Sequence, residues 1–201
     1  MRNKKDIKKK PDPPSFDYWL WPKYFNPPDV QGLRELVQKN IHGNEEVGKG
    51  AVTKGGEQLK FLKTRQVYLH KLRKFLQPVF NSIYYINDRE FQYDLFRSFE
   101  NFEMANYNVY SSKTKDHYGW HIDSSHNGNY DTKFTVLINL SAEPYKGGDF
   151  MYFNQEPIRI SKFRNPGSVL MFKSYLNHKV TSVTSGERIT LTIFMHGPRF
   201  K

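Results

Sequence analysis

Cysteine is absent from all 201 residues. That removes disulfides, thiolate nucleophiles, iron–sulfur clusters and cysteine-type zinc sites from consideration. It also leaves the compartment open, because a chain without thiols is indifferent to redox poise. No apolar run approaches the roughly 18 residues of a membrane span. Residues 1–10 are nearly all polar, so no secretory apolar segment follows the first methionine. The expectation is a soluble, cytoplasmic protein that does not engage membranes. Hydrophobic residues are scarce at 37%, and 16 Phe, 13 Tyr and 3 Trp supply bulk that the aliphatics do not. At this length one domain with a sizeable core is expected.

Acidic residues are also in short supply, 20 against 31 Lys and Arg, which leaves a formal charge of +11. Part of the excess is local. Residues 1–15 hold Arg2, Lys4, Lys5, Lys8, Lys9 and Lys10 against Asp6 and Asp12, a net of +4. Such an arm suits nucleic acid or another polyanion, but a solvated, disordered tail is the ordinary reading. The remaining charge is spread along the body without a dense run.

Residues 8–17 (KKKPDPPSFD) are proline-rich and charged, so residues 1–17 read as a basic, disordered arm and linker. Residues 18–26 (YWLWPKYFN) form an aromatic entry segment, pinned to the core and stopped by Pro27 and Pro28. Leu33, Leu36, Val37 and Ile41 predict a helix over 30–41. Leu69, Leu72, Phe75, Leu76, Val79, Phe80 and Ile83 predict a longer one over 67–86, with Pro78 as a kink. Residues 43–60, rich in Gly, Lys and Glu, read as a mobile loop. Together these make 18–90 a helical N-terminal support region.

From about residue 91 the period becomes two. Strands are expected over 101–111, 118–124, 133–141, 150–154, 157–161, 168–174, 178–184 and 188–196. Gly147-Gly148, Asn165-Pro166-Gly167 and Ser185-Gly186 are the clearest turns between them. Roughly eight strands after a helical start predict a mainly β fold with N-terminal helices, and 91–201 as a double-sheet jelly roll.

The chemistry centres on His121-Ile122-Asp123, then His178, then Arg188. Two imidazoles and one carboxylate can occupy one face of a six-coordinate Fe(II), leaving three positions open. An arginine shortly after the second histidine can hold the far carboxylate of an acidic co-substrate. Alone, H-x-D is weak, since roughly one shuffled chain of this composition in three would contain it. On a strand, however, positions i and i+2 share a face. His121 and Asp123 can then ligate one ion, with Trp120 and Ile122 packed on the other side. The competing reading is a surface His and Asp at a strand end plus an unrelated structural histidine.

Further residues extend the pattern over 103–199. Tyr110 is followed by Tyr118-x-x-His121-x-Asp123, then Gly147-Gly148-Asp149-Phe150 and Pro166-Gly167-Ser168. The pattern ends in His178-x-Val180-x-x-Val183-Thr184-x-Gly186-x-Arg188-x-Thr190. This half of the chain resembles the iron- and 2-oxoglutarate-dependent dioxygenases, in the branch related to prolyl 4-hydroxylases and especially their small bacterial and phage members. The resemblance implies a double-stranded β-helix of cupin-like type, with helices against the outside of the sheets. It implies His121, Asp123 and His178 as iron ligands, Arg188 as partner of the distal carboxylate of 2-oxoglutarate, and Thr190 as a hydroxyl donor to that carboxylate. Tyr110 occupies the co-substrate tyrosine position, with Tyr118 as competitor. Asn139 and Phe194 fall where relatives line the pocket.

The implied cofactors are Fe(II), 2-oxoglutarate as co-substrate and O2, with ascorbate as a further candidate. The implied reaction is hydroxylation coupled to decarboxylation of 2-oxoglutarate to succinate. Asp123 points the same way, because relatives that halogenate replace this carboxylate with a small residue. A peptidyl residue, proline above all, is the favoured substrate, beside free amino acids and small metabolites. Two alternatives stay open. One is an oxygenase acting on nucleic acid, motivated by the charge, although the second arginine that such relatives carry is replaced by Phe194. The other is a catalytically silent jelly roll used for binding. His117, Tyr118, His126 and Asp131 surround the H-x-D strand and read as polar loop residues. Residues 113–116 and 127–129 read as loops able to order over substrate. As for the arm, deletion of residues 1–15 is expected to leave the salt slope of polyanion binding unchanged. A shallower slope in the truncated protein would make the arm a contact.

Overall fold

The computed structural model describes residues 16–47, 60–97, 99, 103–124, 126–127 and 129–200. The arm expected over 1–17, apart from its last two residues, lies outside these, as do positions 48–59 of the expected loop, Gly128 and His126 and Asn127 side chains. Among the described residues no helix is long and apolar enough to cross a membrane.

Among the described residues two α-helices, α1 (Pro27–Lys39) and α2 (Arg73–Ile86), accompany fifteen strands. The first seven are β1 (Tyr18–Trp21), β2 (Ile41–Val47), β3 (Lys60–Phe61), β4 (Lys63–Tyr68), β5 (Met104–Ser111), β6 (His117–His121) and β7 (His126–Asn127). There follow β8 (Tyr130–Asn139), β9 (Lys146–Gly147), β10 (Phe150–Asn154) and β11 (Glu156–Arg159). The last are β12 (Val169–Lys173), β13 (His178–Val180), β14 (Val183–Ser185) and β15 (Glu187–Gly197). An eight-stranded sheet runs β1-β12-β8-β15-β5-β4-β2, with β7 beside β8. A five-stranded sheet runs β11-β10-β13-β6-β3, and β14 pairs with β9. Every pairing is antiparallel. This is the mainly β, double-stranded β-helix expected.

Alternation along the strands splits the interior in two. Val136 and Ile138 of β8, Val169 and Met171 of β12, and Ile189, Leu191 and Ile193 of β15 face the helices. There they meet Val30, Leu33 and Val37 of α1 and Leu76, Val79, Phe80 and Ile83 of α2. At roughly 1.5–3 kcal/mol per fully buried large apolar side chain, this layer carries most of the favourable burial. The opposite faces close on the smaller sheet, where Leu137, Leu170 and Phe172 pack with Phe150, Tyr152, Ile160, Phe163 and Leu176. Helical spacing and strand spacing thus meet on one sheet.

The N-terminal third differs from its expected helical character. Its strands β1, β2 and β4 extend the large sheet and β3 the small one, so it supplies walls as well as helices. Val67 and Tyr68 end β4 instead of beginning a helix, and a 3-10 turn over Leu69–Leu72 leads into α2. Leu69 fits a helical spacing and a strand end equally well, which is why the boundary was misplaced. Residues 43–47 of the expected loop continue β2. Pro27 and Pro28 start α1 rather than stop the entry segment, because the first helical positions need no backbone N–H. Asn26 caps that helix by accepting from the Asp29 amide at 2.9 Å. The turn at Gly167 has φ +76, and a Cβ there would stand 2.1 Å from the Phe25 carbonyl oxygen. Glycine therefore lets the entry segment close on the sheet, where the Phe25 amide donates to the Gly167 carbonyl at 3.0 Å.

On the last strand, His196 lies beside the Thr132 hydroxyl at 3.3 Å, and burial pushes its imidazole below the ordinary histidine range. The unfolded chain then takes up a proton near pH 6.5 that the folded chain resists. His196 therefore contributes stability that is complete above that pH and is lost as pH falls toward the folded value. The more deeply buried His178 steepens the same loss. We predict that Tm falls less steeply from pH 7 to pH 5 in His196→Gln than in the unmodified protein. Equal slopes in thermal melts would remove His196 from the account.

Candidate active site

Cross-strand pairing places the key imidazoles side by side. His178 of β13 lies in register with His121 of β6. The chain leaves β6 after His121, and the Asp123 amide donates to the Ser174 carbonyl at 2.9 Å, which turns the carboxylate back toward both rings. Its oxygens stand 3.5 Å from His121 Nε2 and 3.4 Å from His178 Nε2. All three potential ligand atoms lie within 4.8 Å of one another. The two carboxylate–imidazole separations of 3.5 and 3.4 Å are close to the roughly 3 Å between adjacent ligands bonded to one ion at about 2.1 Å.

The protonation states suit the same purpose. His121 Nδ1 lies 2.7 Å from the Gly119 carbonyl and His178 Nδ1 2.9 Å from the Leu176 carbonyl. Donation from each Nδ1–H leaves the Nε2 lone pair facing inward, the tautomer a ligand needs. Burial lowers His178 to about 4, only partly opposed by the Asp123 carboxylate, so it is neutral at physiological pH. Burial would raise Asp123, but hydrogen bonding and charge from the two imidazoles whenever they are protonated, together with the Thr135 hydroxyl, outweigh it and hold the carboxyl below its usual range. Thr135 Oγ1 donates to Asp123 at 2.8 Å. Tyr118 stacks on His121 at 3.5 Å with an interplanar angle of 10°. Phe150 stacks on His178 at 5.4 Å, and Phe172 meets the same ring edge-on.

The triad opens into a cavity of about 90 Å3 whose walls also include Asn106, Asn108, Tyr110, Arg188, Thr190, Thr192 and Phe194. Arg188 is 1% exposed, and neither terminal guanidinium nitrogen has a hydrogen-bond partner among the described residues. The guanidinium lies 4.8 Å from the Tyr110 ring, with which Arg188 is in register, and 5.9 Å from that of Phe163. A buried cation without an anion costs several kcal/mol, and its two free nitrogens match a carboxylate. An anion placed there would complete the cavity. Burial raises both Tyr110, against the pull of Arg188, and Tyr118, the latter to about 12. Both phenols stay protonated and can donate.

The turn sequence 147–150 builds this room. Gly148 has φ +62, and a Cβ there would meet Arg188 Cδ at 2.9 Å. Arg164 holds Asp149 at 2.5 Å and the Gly147 carbonyl at 2.8 Å, fixing the turn that delivers Phe150 to His178.

The expected ligand set, Tyr110, Arg188, Thr190 and Phe194 therefore line one cavity. Tyr118 joins them, against His121 rather than Arg188. Asn139 does not. Its amide donates to the Phe163 and Arg164 carbonyls at 3.0 and 2.9 Å, and its oxygen accepts from the Ser141 amide, a loop-fastening role. Ile122 is 53% exposed instead of packed, because β6 has already ended. Thr135, Asn106, Asn108 and Thr192 escaped notice in the sequence. Two-residue alternation from Tyr110 and from Arg188 would have found the last three.

Comparisons bear on the same region. Residues 104–196 match the family model of the 2OG-Fe(II) oxygenase superfamily. A PKHD-type hydroxylase from Crocosphaera subtropica is 32% identical over 87 residues, 41% of this chain and 38% of that protein. One from Synechococcus sp. is 36% identical over 83 residues, 40% and 36% of the two chains. The chain thus spans well under half the length of these curated relatives. A Pseudomonas putida prolyl-4-hydroxylase superposes with TM-score 0.65 at 13% identity, covering 92% of this chain and 94% of that one. A Trichoplax adhaerens prolyl hydroxylase, solved with a hypoxia inducible factor peptide fragment, gives 0.63 at 16%, covering 89% and 83%. The carbocyclase SnoK from nogalamycin biosynthesis gives 0.62 at 14%, covering 91% and 80%, so the shared fold hosts more than one chemistry.

The buried guanidinium yields a stability prediction. Arg188→Met keeps the volume and removes the uncompensated charge, so it should stabilise the ligand-free protein by about 1–4 kcal/mol. A calorimetric Tm below that of the unmodified protein would mean that the charge is already neutralised.

Proposed function

From the match of residues 104–196 to the family model of the 2OG-Fe(II) oxygenase superfamily, we propose that the protein is a hydroxylase acting on a peptidyl residue. In this reading His121, Asp123 and His178 hold Fe(II), and the catalytic unit is residues 91–201, with 18–90 as its support. The observation that carries it is one cavity that joins a preformed two-histidine, one-carboxylate set to a buried, unpaired guanidinium. Iron held there supplies oxygen activation, coupled to oxidative decarboxylation of 2-oxoglutarate to succinate and carbon dioxide.

The chain's own residues do the rest. Arg188 receives the far carboxylate of 2-oxoglutarate through its two free nitrogens, in the forked geometry that lysine cannot copy. Tyr110, held protonated against that guanidinium, and Thr190, two residues along the same strand face, donate to the same carboxylate. Tyr118, Phe150 and Phe172 fix the imidazole planes, and Thr135 orients the Asp123 carboxylate. Leu62, Leu137, Val180 and Phe194 keep the remaining wall apolar, which limits water beside the reacting C–H bond. The C–H oxidation itself asks no protein group for a proton, which agrees with a wall that offers no general base beyond the ligands. Support for a peptidyl substrate comes from the prolyl hydroxylases among the structural neighbours, one of them solved with a peptide.

The expected outcome is succinate formation from 2-oxoglutarate that requires Fe(II) and oxygen. His178→Ala should lower it by about 10- to 100-fold or more. Arg188→Ala should chiefly raise the KM for 2-oxoglutarate, roughly 10- to 100-fold from the loss of a charge-assisted pair. Iron-loaded protein that released no succinate would overturn the assignment. An unchanged KM in Arg188→Ala would remove Arg188 from the co-substrate site.

A further inference from the structure

The inner face of the large sheet carries two successive rungs of amide chemistry, only one of which is closed. Asn108 of β5 stands opposite Thr64 of β4 and Thr190 of β15. Its oxygen accepts from Thr64 Oγ1 at 2.9 Å and its nitrogen donates to Thr192 Oγ1 at 2.9 Å, and it is buried. That rung staples three strands together. The next rung outward pairs Asn106 of β5 with Gln66 of β4, in register. Here the only hydrogen bond among the described residues is Gln66 Nε2 to Asn106 Oδ1, at 3.3 Å. Asn106 lines the cavity that holds the triad, and Gln66, in register with it on the next strand, is exposed.

One bond between two carboxamides leaves capacity over. Asn106 keeps its NH2 donor and Gln66 keeps a carbonyl acceptor. Exchanging oxygen and nitrogen in both groups reverses their order and still leaves one donor beside one acceptor. An extended peptide residue presents its own C=O and N–H on one side, the complement of such a pair, as in an antiparallel ladder. We propose that Gln66 and Asn106 form the substrate-recognition pair and grip the backbone of one extended peptide residue next to the residue to be hydroxylated. This rests on the hydroxylase reading above and adds the feature by which the substrate is bound.

Charge placement favours a peptide over a nucleic acid, whose base edges could also meet an amide pair. Phosphates would require cations near the mouth. Along β4 the cations Lys63 and Arg65 line a separate groove on the helix-facing side, together with Arg34 and Lys113. The face turned to the cavity holds neutral Thr64 and Gln66, and among the described residues the one arginine or lysine lining the cavity is Arg188. Arg188 pairs with Tyr110, four residues along β5 from Asn106, or roughly 13 Å.

The test uses full-length protein loaded with Mn(II) and 2-oxoglutarate under nitrogen. A displayed library of random ten-residue peptides is selected on it, and an enriched peptide is remade with each backbone amide in turn replaced by an ester. One ester should weaken binding roughly three- to tenfold, and that loss should vanish in whichever of Asn106→Leu and the exposed, fold-tolerant Gln66→Met removes the amide oxygen that accepted the deleted N–H. A library that enriches nothing, an ester penalty unchanged in both variants, or a random single-stranded oligonucleotide whose binding depends on Asn106 would overturn the proposal. Thermal shift by 2-oxoglutarate on the same samples separates the two levels. If the co-substrate binds and the peptide arm fails, only the recognition pair falls; if neither binds, the hydroxylase reading falls with it.

Discussion

A guanidinium sealed among aromatic rings without an anion is the constraint on which the rest of this molecule turns. Arg188 sits in the middle of the large sheet, 1% exposed, with both terminal nitrogens unpaired among the described residues. Folding alone has no use for such a group, since an apolar residue of equal volume would cost less. Several neighbours nonetheless exist in forms that accommodate it. Gly148 gives up its side chain where a Cβ would strike the Arg188 stem. Tyr110 lies across the guanidinium and remains protonated. The stability forgone here is the sort of cost found at functional sites, where binding energy later offsets it.

Strand β15 shows how one segment serves fold and site together. Ile189, Leu191 and Ile193 bind the helices to the sheet, while Arg188, Thr190, Thr192 and Phe194 furnish the cavity. A shift of one residue in its register would exchange the two sets and place the cation in the helical core. The strand is held against such a slip by pairing along both edges, with β5 on one side and β8 on the other. The site is therefore as firmly placed as the core.

Legibility in the sequence followed the same division. The jelly roll, most of its strands and the candidate ligands were readable because two-residue alternation and metal-ligand chemistry are both local signals. Arg188 and Thr190 were singled out through the family resemblance, and their two-residue spacing on one strand puts both on the cavity wall. Strand β2 was not, since Gly and Glu at 43–46 resemble a loop when the partner strand is unknown. The start of α2 was blurred because Leu69 satisfies two periods at once. Asn139 was misassigned because its position faces inward, but at the end of β8, where three backbone groups of nearby loops claim its amide. Sequence reports which way a residue faces; it does not report which competitor reaches it first.

Competition for hydrogen bonds also separates neighbours of identical type. Asn106 and Asn108 both face inward from one strand, two residues apart, and nothing in the alternation tells them apart. The difference lies in what stands opposite. Asn108 has a threonine hydroxyl on each side within 2.9 Å, so both ends of its amide are spent inside the sheet. Asn106 stands between Thr192, whose hydroxyl is already taken by Asn108, and the longer Gln66, which takes up one end and leaves the other. A buried amide that is fully paired contributes to stability, and one that is half-paired at a cavity wall gains more from a ligand than from the fold. The same reasoning applies to the two arginines near the site. Arg164 is tied to Asp149 and two carbonyls and acts as scaffold, whereas Arg188 has its terminal nitrogens free and faces the cavity. Function in this fold is written in the polar atoms left over once the sheets have closed.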